Sequence, residues 1–483
     1  MQKLELRLPL YPKQLAVLNS EATEILFGGA AGPGKSHLLR VAAIVWCLAI
    51  NGLQAYLFRR TRPDLWKNHM EGPNGFLSLL APLVTAGHCK INLSDGRIEL
   101  GKSRIHLCHC EHEKDVFKYQ GAEIHVLLPD EVTHFSASQY AFLRSRVRMV
   151  GIDLPPQFAG KFPRIVAGTN PGNVGHNWVK AAFIDSAPPM AIHRMPREEG
   201  GMLRQFIPAF HVDNPALLRD DPTYVDRLHG LGSDALVSAM LAGDWNIVAG
   251  GAFDDLWSTP VHTLPPFAIP ANWRIDRSFD WGSSHPYSVG WWAESNGEEA
   301  TLADGRKRSF PSGTLFRIAE LYGWNGKPNE GCRKVAVEVA REILKAESDM
   351  GIKERVKPGP ADSSIFDTEN GTSIADDMAR VGVRWERADK GPGSRANGLE
   401  RVRQYLKASL ASPMEAPGMF FFDTCRHAIR TLPTLPRDER KTDDVNTEAE
   451  DHCYDDIRYR VLAGRKLRSA FGPLAAQRLA AVG

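Results

Sequence analysis

A glycine-rich octapeptide near the N-terminus constrains the fold of this chain more than any other feature of its sequence. Residues 29–36 read GAAGPGKS and match the pattern G-x-x-x-x-G-K-[ST] in full. The short apolar run 25–27 precedes the octapeptide, and a long apolar stretch, 37–50, follows it. A strand that leads into the motif and a helix that leaves it are the context of a phosphate-binding loop.

Five residues of this loop suit a nucleoside triphosphate and its magnesium ion. Gly29, Gly32 and Gly34 allow backbone N–H groups to close around phosphate oxygens at a helix N-terminus. Lys35 would reach the β- and γ-phosphates, and the Ser36 hydroxyl would bind Mg²⁺. The alternative, a glycine-rich turn without function, loses weight because the strand and the helix are both predicted.

Two adjacent acids extend the nucleotide site. The apolar run 124–128 predicts a buried strand that ends in Pro129, Asp130 and Glu131. In P-loop enzymes an acid at the end of a neighbouring strand holds Mg²⁺, so Asp130 is assigned that role. Glu131 is assigned the role of the base that orients the attacking water. A solvated Asp-Glu loop is the alternative.

The chain divides into two halves of different pattern. Its 483 residues allow two to four domains at about 100–200 residues each. In residues 1–258 short apolar runs alternate with helical patterns, which predicts an α/β domain with a mainly parallel sheet. The proline-rich stretch 259–272 is predicted as a linker, 273–464 as a second α/β domain, and 465–483 as a basic tail.

Charge is distributed unevenly along the chain. The formal net charge is only +2, which excludes a polybasic mode of binding but leaves room for local patches. Residues 438–456 carry nine acids and two bases, whereas 384–407 carry seven bases and three acids. The basic stretch suits DNA phosphates, with a solvated helix face as the alternative. The apolar run 41–50 is too short to span a bilayer, so no membrane partner is expected.

Carboxylates in the second half suit a metal-dependent nuclease, in which clustered acids hold two Mg²⁺ ions. Asp280 ends a predicted strand, and Asp362 follows a later one. Asp451 and Asp455 are expected on one face of a helix with a capping box at 447–450 and a stop at Gly464.

Three alternatives to this acid set stay open at this stage. Asp367 lies close to Asp362 in the sequence, Glu320 on a predicted strand is expected to face solvent, and Asp451 is as well explained by a solvated helix start.

Four further motifs complete the pattern: Tyr11-Pro12-Lys13-Gln14, Phe58-Arg59-Arg60-Thr61, Lys118-Tyr119-Gln120-Gly121 and Gly168-Thr169-Asn170-Pro171-Gly172. In this order, around the P-loop and the acidic strand, they resemble the large terminase subunit of tailed bacteriophages. The resemblance runs over roughly residues 11–464. It implies an α/β fold with an N-terminal P-loop ATPase domain and a C-terminal RNase H-like nuclease domain.

The resemblance also implies roles for particular residues. Gln14 would read adenine, and Thr169 with Asn170 would sense the γ-phosphate of ATP. One arginine would act on the site of a neighbouring subunit, and the candidates are Arg144, Arg146 and Arg148.

The nuclease acids follow from the same family pattern. Asp280 would end the first strand, Asp362 would follow a later strand, and Asp455 would begin an Asp-x-x-Arg-Tyr motif. The implied cofactors are ATP and Mg²⁺, with Mn²⁺ expected to substitute in the nuclease site.

The implied function is ATP-driven translocation of viral double-stranded DNA into a procapsid, with endonucleolytic cutting of the concatemer. The implied partners are the portal protein, the small terminase subunit and further copies of the chain in a ring. The implied location is the host cytoplasm and, transiently, the portal vertex, but not the mature virion. The alternatives are a P-loop DNA helicase or translocase without nuclease activity and a degenerate, non-catalytic prophage packaging protein.

Overall fold

The protein forms two compact units, Met1–Asp254 and Asp255–Gly483, in a computed structural model that describes residues 5–229, 237, 241–246, 251–368, 371–438 and 441–463. The proline-rich stretch predicted as a linker begins with the short helix Thr259–His262 and the strand Thr263–Leu264, which pairs with Phe421 and Phe422 of the second unit. The predicted tail, 465–483, lies outside the described residues. No helix among the described residues is long and apolar enough to cross a membrane.

The first unit is built on a nine-stranded sheet with the order β3-β4-β5-β2-β6-β7-β1-β9-β8. Its strands are β1 Glu24–Gly29, β2 Gln54–Arg59, β3 Cys89–Asn92, β4 Arg97–Leu100, β5 Ser103–His109, β6 Val126–Pro129, β7 Arg164–Thr169, β8 Ile192–Arg194 and β9 Leu203–Ala209. Six consecutive strands of this sheet are parallel, namely β5, β2, β6, β7, β1 and β9. The remaining three, β3, β4 and β8, are antiparallel additions at the edges.

Helices cover both faces of this sheet, so β1, β6 and β7 are buried along their whole length, as their uninterrupted apolar runs predict. The helices are α1 Pro12–Asn19, α2 Lys35–Ala49, α3 Arg62–Leu65, α4 Phe76–Thr85, α5 Ala137–Arg144, α6 His176–Val179, α7 Pro215–Asp220 and α8 Tyr224–His229. The carboxyl ends of β1, β6 and β7 meet at one edge because these strands are parallel neighbours.

The second unit contains a mixed sheet with the order β10-β19-β15-β12-β11-β17-β18, in which β16 also pairs with β11, and a separate β13–β14 hairpin. The strands are β10 Thr263–Leu264, β11 Arg274–Asp280, β12 Ser288–Glu294, β13 Glu299–Thr301, β14 Lys307–Ser309, β15 Leu315–Tyr322, β16 Val356–Lys357, β17 Pro360–Ala361, β18 Glu386–Arg387 and β19 Met419–Phe422. Strands β11, β12 and β15 form an antiparallel meander, and β17 and β18 continue parallel to β11. This is the strand arrangement of RNase H-like domains, so the predicted fold class is confirmed for both units.

The described residues of the second unit form six helices: α9 Thr259–His262, α10 Ala336–Asp349, α11 Ile374–Val381, α12 Ser394–Leu410, α13 Arg426–Thr431 and α14 His452–Leu462. The predicted capping box at 447–450 is wrong, because α14 begins at His452 and Asp451 is its N-cap. Glu450 is not available for capping, since its carboxylate accepts hydrogen bonds from Arg430 and Tyr322. The predicted stop, Gly464, lies outside the described residues.

Candidate functional site

Glycines shape the P-loop, and side chains from outside the loop donate hydrogen bonds to its carbonyls. Gly32 and Gly34 have φ angles of 85° and 79°, in the left-handed region that glycine tolerates best. A Cβ atom on Gly34 would lie 2.6 Å from Gln14 Nε2, so a side chain would also collide there. Gln14 Nε2 donates to the carbonyls of Pro33 and Gly34 at 3.2 and 3.1 Å, and Asn214 Nδ2 donates to the Gly32 carbonyl at 2.7 Å.

Gln14 is thus engaged with the P-loop backbone through its amide nitrogen. Its Oε1 accepts from the Tyr11 backbone N–H at 2.9 Å, and the side chain is buried. The predicted adenine-reading role stays a prediction. The structure adds a contact that sequence reasoning did not anticipate, because this glutamine joins α1 to the phosphate loop.

Lys35 begins α2 and lies beneath the loop. Its Nζ donates to the Ala30 carbonyl at 2.9 Å and to Asn170 Oδ1 at 2.6 Å, so two residues singled out far apart in the sequence meet here. Burial lowers the pKa of Lys35, and the nearby charges of Glu131 and Asp130 act in the opposite direction. A buried ammonium whose present partners are neutral oxygens is suited to bind an incoming phosphate.

Asp130 is the most heavily contacted acid of this site. Its Oδ2 accepts from Ser36 Oγ, Arg59 Nε and His69 Nε2, each at 2.9 Å, while Oδ1 is buried without a hydrogen-bond partner among the described residues. Burial alone would raise the pKa of Asp130, but the hydrogen bonds from His69 and Arg59 and the charge of Arg59 outweigh it and lower the pKa. The carboxylate is therefore ionised, and its second oxygen fits a hard cation such as Mg²⁺.

His69 was missed by sequence reasoning. It is fully buried in a π-helical turn, Trp66–Met70, and its Nδ1 lies 3.4 Å from Arg40 Nη1. Because a guanidinium can only donate, Nδ1 must accept, and the imidazole proton is on Nε2, facing Asp130. Burial lowers the pKa of His69, which agrees with a neutral ring. No local sequence signal marks a π-turn, although such turns are frequent at functional sites.

Glu131 follows Asp130 with a φ angle of 55°, which is uncommon for a residue with a side chain. Thr169 Oγ1 lies 3.4 Å from Glu131 Oε2 and 2.7 Å from Thr133 Oγ1. The left-handed backbone turns the chain immediately after β6 and places the Glu131 side chain beside the end of β7. The predicted base and the predicted γ-phosphate sensor are thus neighbours.

The three arginine candidates differ in how they are held. Arg144 Nη1 lies 3.6 Å from Glu24 Oε1, and Arg146 Nη1 donates to the Gln120 carbonyl at 2.9 Å. Arg148 has an exposed side chain. Which of them acts in a neighbouring subunit stays a prediction.

The candidate nuclease site is formed at the ends of two parallel strands. Asp280 is the last residue of β11, and Asp362 directly follows β17, whose Ala361 is paired with Phe279. The Asp362 backbone N–H donates to the Phe279 carbonyl at 2.9 Å. Asp455 lies on α14, which packs against β11. The three predicted acids therefore belong to elements that contact one another.

These acids influence one another strongly. Burial, followed by the charges of Asp455 and Asp362, raises the pKa of Asp280 well above its ordinary range. Tyr459 donates to Asp280 Oδ1 at 3.3 Å, and His452 Nδ1 lies 3.3 Å from Oδ2. Sequence reasoning identified the Tyr459 motif but not His452, which turns toward Asp280 because α14 begins there.

Basic side chains balance part of this charge. Lys390 Nζ lies 2.6 Å from Asp362 Oδ1, and Arg458 Nε donates to Asp455 Oδ1 at 3.0 Å. Although burial alone would raise the pKa of Asp362, the hydrogen bond with Lys390 contributes to a net lowering. With these contacts in place, no three His, Cys, Asp or Glu side chains in the described part of the chain are grouped closely enough to hold a metal ion.

The donor types nevertheless fit a divalent cation. Carboxylate oxygens are the ligands that Mg²⁺ and Mn²⁺ prefer, and a cation would offset the repulsion felt by the buried Asp280. The residues that would hold it are Asp280, Asp362 and Asp455.

The alternative acids take other positions. The prediction that Glu320 faces solvent is wrong, because its buried carboxylate accepts from the His427 and Ala428 backbone N–H groups at 2.6 and 3.2 Å. Asp367 is exposed. Asp451 is buried, and burial with the charge of Asp455 raises its pKa. Asp456, which sequence reasoning did not assign, forms a buried bidentate ion pair with Arg317 at 2.5 and 3.0 Å.

Comparison with solved structures returns large terminases of several phages. The chain resembles them along nearly its whole length. The large terminase of a thermophilic bacteriophage is 18% identical, with 94% of this chain and 98% of that chain covered and a TM-score of 0.39. The HK97 bacteriophage large terminase is 11% identical, with coverages of 94% and 95% and a TM-score of 0.40. The P22 large terminase nuclease domain is 14% identical, with coverages of 44% and 92% and a TM-score of 0.31.

No family model matches the sequence. No curated protein matches it significantly.

Proposed function

We propose that this chain is the large terminase subunit of a tailed bacteriophage, which translocates viral double-stranded DNA into the procapsid and cuts the concatemer. One observation carries the proposal. A single chain joins a P-loop in which Ser36 and Asp130 meet to an RNase H-like sheet in which Asp280 and Asp362 end adjacent parallel strands. Neither site alone requires the other, but a motor that also cuts DNA requires both.

The proposed ATPase reaction uses groups that are already in contact. Backbone N–H groups of the loop and Lys35 would bind the phosphates, and Ser36 with Asp130 would hold Mg²⁺, which would neutralise charge on the phosphate oxygens. Glu131 orients the attacking water and accepts its proton. Lys35 Nζ contacts Asn170 Oδ1, so a γ-phosphate that recruits the ammonium also changes the environment of Asn170. The change of the Lys35 partner would couple the presence of the γ-phosphate to the surroundings of Asn170 at the end of β7.

The proposed nuclease reaction depends on the three acids of the second unit. Asp280, Asp362 and Asp455 would hold the divalent cations, Mg²⁺ or Mn²⁺, which would supply activation of the attacking water and stabilisation of the leaving oxygen. His452 and Tyr459 fix the orientation of the Asp280 carboxylate through its two oxygens. Exclusion of bulk water from Asp280 strengthens these electrostatic interactions.

The proposed partners follow from the same function. They are double-stranded DNA, the portal protein, the small terminase subunit and further copies of the chain in a ring, with no membrane. A ring would allow an arginine of one subunit to reach the nucleotide of the next, and the exposed Arg148 is the least constrained candidate. The proposed location is the host cytoplasm and transiently the portal vertex, not the mature virion.

Two assays on the full chain test the proposal. Cleavage of supercoiled plasmid DNA with Mn²⁺ compares the parent with Asp280→Ala, and ATP hydrolysis compares the parent with Glu131→Ala. The proposal predicts that Asp280→Ala stops cutting and that Glu131→Ala stops ATP turnover. Cutting that survives Asp280→Ala would contradict the assignment of Asp280. Absence of cutting by the parent chain, with ATP turnover intact, would favour a helicase or translocase without nuclease activity. Absence of both activities in the parent chain would favour a non-catalytic packaging protein.

A further inference from the structure

Lys390 lies within the candidate nuclease site without belonging to its predicted acids. Its Nζ is 2.6 Å from Asp362 Oδ1 and 5.5 Å from the centre of the Tyr459 ring. Tyr459 in turn donates to Asp280. The ammonium therefore lies among the side chains that would surround a divalent cation.

The other cations of the site are held more firmly. Arg458 is almost completely buried, and its side chain packs so closely on Gly398 that a Cβ atom there would lie 2.4 Å from Arg458 Cγ. Arg395 makes its shortest contact with Asp444, at 2.6 Å, and lies 3.8 Å from Asp455. Both arginines are fixed by contacts outside the three predicted acids.

Lys390, by contrast, can leave without disturbing the fold. Its side chain is 37% exposed, and it lies in the connection between β18 and α12. Gly391 and Gly393 follow it, and Gly393 has a φ angle of 81°. Movement of this connection beyond Ala388, whose backbone N–H donates to the Ala361 carbonyl at 2.9 Å, breaks no pair of the sheet, because β18 ends at Arg387.

We propose that Lys390 is a built-in counter-ion of the acidic site, which competes with the divalent cation for Asp362 and is released to a DNA phosphate. The inference rests on the proposed nuclease function. A DNA phosphate that draws the Lys390 ammonium toward itself weakens the ion pair with Asp362, whereas an ammonium that stays at this carboxylate repels a divalent cation bound there. DNA that recruits Lys390 therefore strengthens cation binding, and by linkage the cation strengthens DNA binding.

The ion pair between Lys390 and Asp362 would keep the acidic site from binding its divalent cation tightly while no DNA is present. It also gives a reason for the position of Lys390 in a stretch of seven bases, residues 384–407, in which Arg395 and Arg403 are already paired with Asp444 and Asp255.

The test measures Mn²⁺ binding to the nucleotide-free full chain by electron paramagnetic resonance. The proteins compared are the parent, Lys390→Gln, Lys407→Gln as an exposed lysine of the same stretch, and Asp280→Asn to identify signal from the acidic site. We expect about tenfold tighter Mn²⁺ binding by Lys390→Gln, equivalent to about 1.4 kcal/mol, and no change by Lys407→Gln. Lys390→Met gives the same test if the glutamine variant does not fold.

A second measurement tests the link to DNA. Anisotropy of a fluorescent duplex, with and without Ca²⁺, should show that Ca²⁺ raises DNA affinity several-fold in the parent, relative to Asp280→Asn, but hardly in Lys390→Gln. Equal or weaker Mn²⁺ binding by Lys390→Gln, or an undiminished Ca²⁺ effect, would overturn the role of Lys390 alone. Absence of any Mn²⁺ site sensitive to Asp280→Asn would overturn the proposed nuclease site together with it.

Discussion

Two isosteric substitutions of buried aspartates should change stability in opposite directions. Asp130→Asn removes a carboxylate that accepts hydrogen bonds from Ser36, Arg59 and His69. Asp280→Asn removes a buried charge that other carboxylates repel. We therefore expect the first variant to destabilise its unit and the second to stabilise its own.

The magnitudes follow from the partners of each group. Loss of the Asp130 charge leaves the mostly buried Arg59 without its ion pair, and breaking one side of such a pair costs about 3 kcal/mol. Within the part of the chain that the structure describes, Asp280 contacts Tyr459 and His452 but forms no ion pair with a lysine or arginine, so neutralising it removes a desolvation penalty of about 1–3 kcal/mol. The asparagine oxygen can still accept from Tyr459.

The pH dependence of stability independently predicts the direction of each stability change. The pKa of Asp130 is lowered in the folded state, so its stabilisation is present above the unfolded value of 3.8 and lost as the pH falls through the folded value. The pKa of Asp280 is raised, so its penalty is absent below pH 3.8 and grows as the pH rises toward the folded value. The effect of Asp280→Asn should thus be larger at pH 7 than at pH 4. The effect of Asp130→Asn should be nearly the same at both pH values, because its stabilisation is lost only below the unfolded pKa of 3.8.

Native-state hydrogen exchange in EDTA, followed by mass spectrometry of peptides covering β6 and β11, measures the opening free energy of each unit separately. Each variant is the control for the unit that it does not change. Asp443→Asn, at an exposed aspartate, controls for the loss of a surface charge in the second unit. If Asp280→Asn lowered the opening free energy of β11 at pH 7, the assignment of a repelled, unbalanced carboxylate would be incorrect.

Three further substitutions test individual roles. Glu131→Gln should lower kcat for ATP hydrolysis by about 10²–10⁴-fold with little change in nucleotide Kd, because general-base catalysis contributes that much, and steady-state ATP turnover with nucleotide titration checks it. His69→Phe should raise the Mg²⁺ concentration needed for half-maximal ATP turnover by about tenfold, because Asp130 loses a positioning donor, whereas His69→Gln should recover part of it. Glu320→Gln should lower the thermal midpoint without affecting Mn²⁺ binding, because the Glu320 carboxylate caps α13. Calorimetry measures the change in the midpoint.

The nucleotide site was largely predictable because its signals are local. The glycine pattern, the strand before it and the acid after β6 are each contained in a few residues, and parallel neighbours place their carboxyl ends together. The meeting of Ser36 with Asp130 follows from that rule. His69 could not be predicted, since its place depends on a π-turn and on Arg40 from another helix.

For the three predicted nuclease acids, the sequence indicated the supporting elements but not the balance of charge. Asp280 ends β11, Asp362 follows β17 and Asp455 lies in the first turn of α14, whereas Lys390 reaches Asp362 through tertiary packing. Tertiary packing also explains why two predictions from local sequence were wrong. Glu450 pairs with Arg430 instead of capping a helix, and Glu320 caps α13 instead of facing water.

The central claim is that one chain carries two separable active sites, and a pair of crossed variants tests it most directly. Lys35→Ala and Asp280→Asn are assayed side by side for ATP-driven displacement of a triplex-forming strand from duplex DNA and for Mn²⁺-dependent plasmid cutting. If the two sites are separable, Lys35→Ala should cut without translocating and Asp280→Asn should translocate without cutting. Loss of both activities in either folded variant, or loss of neither, would contradict it.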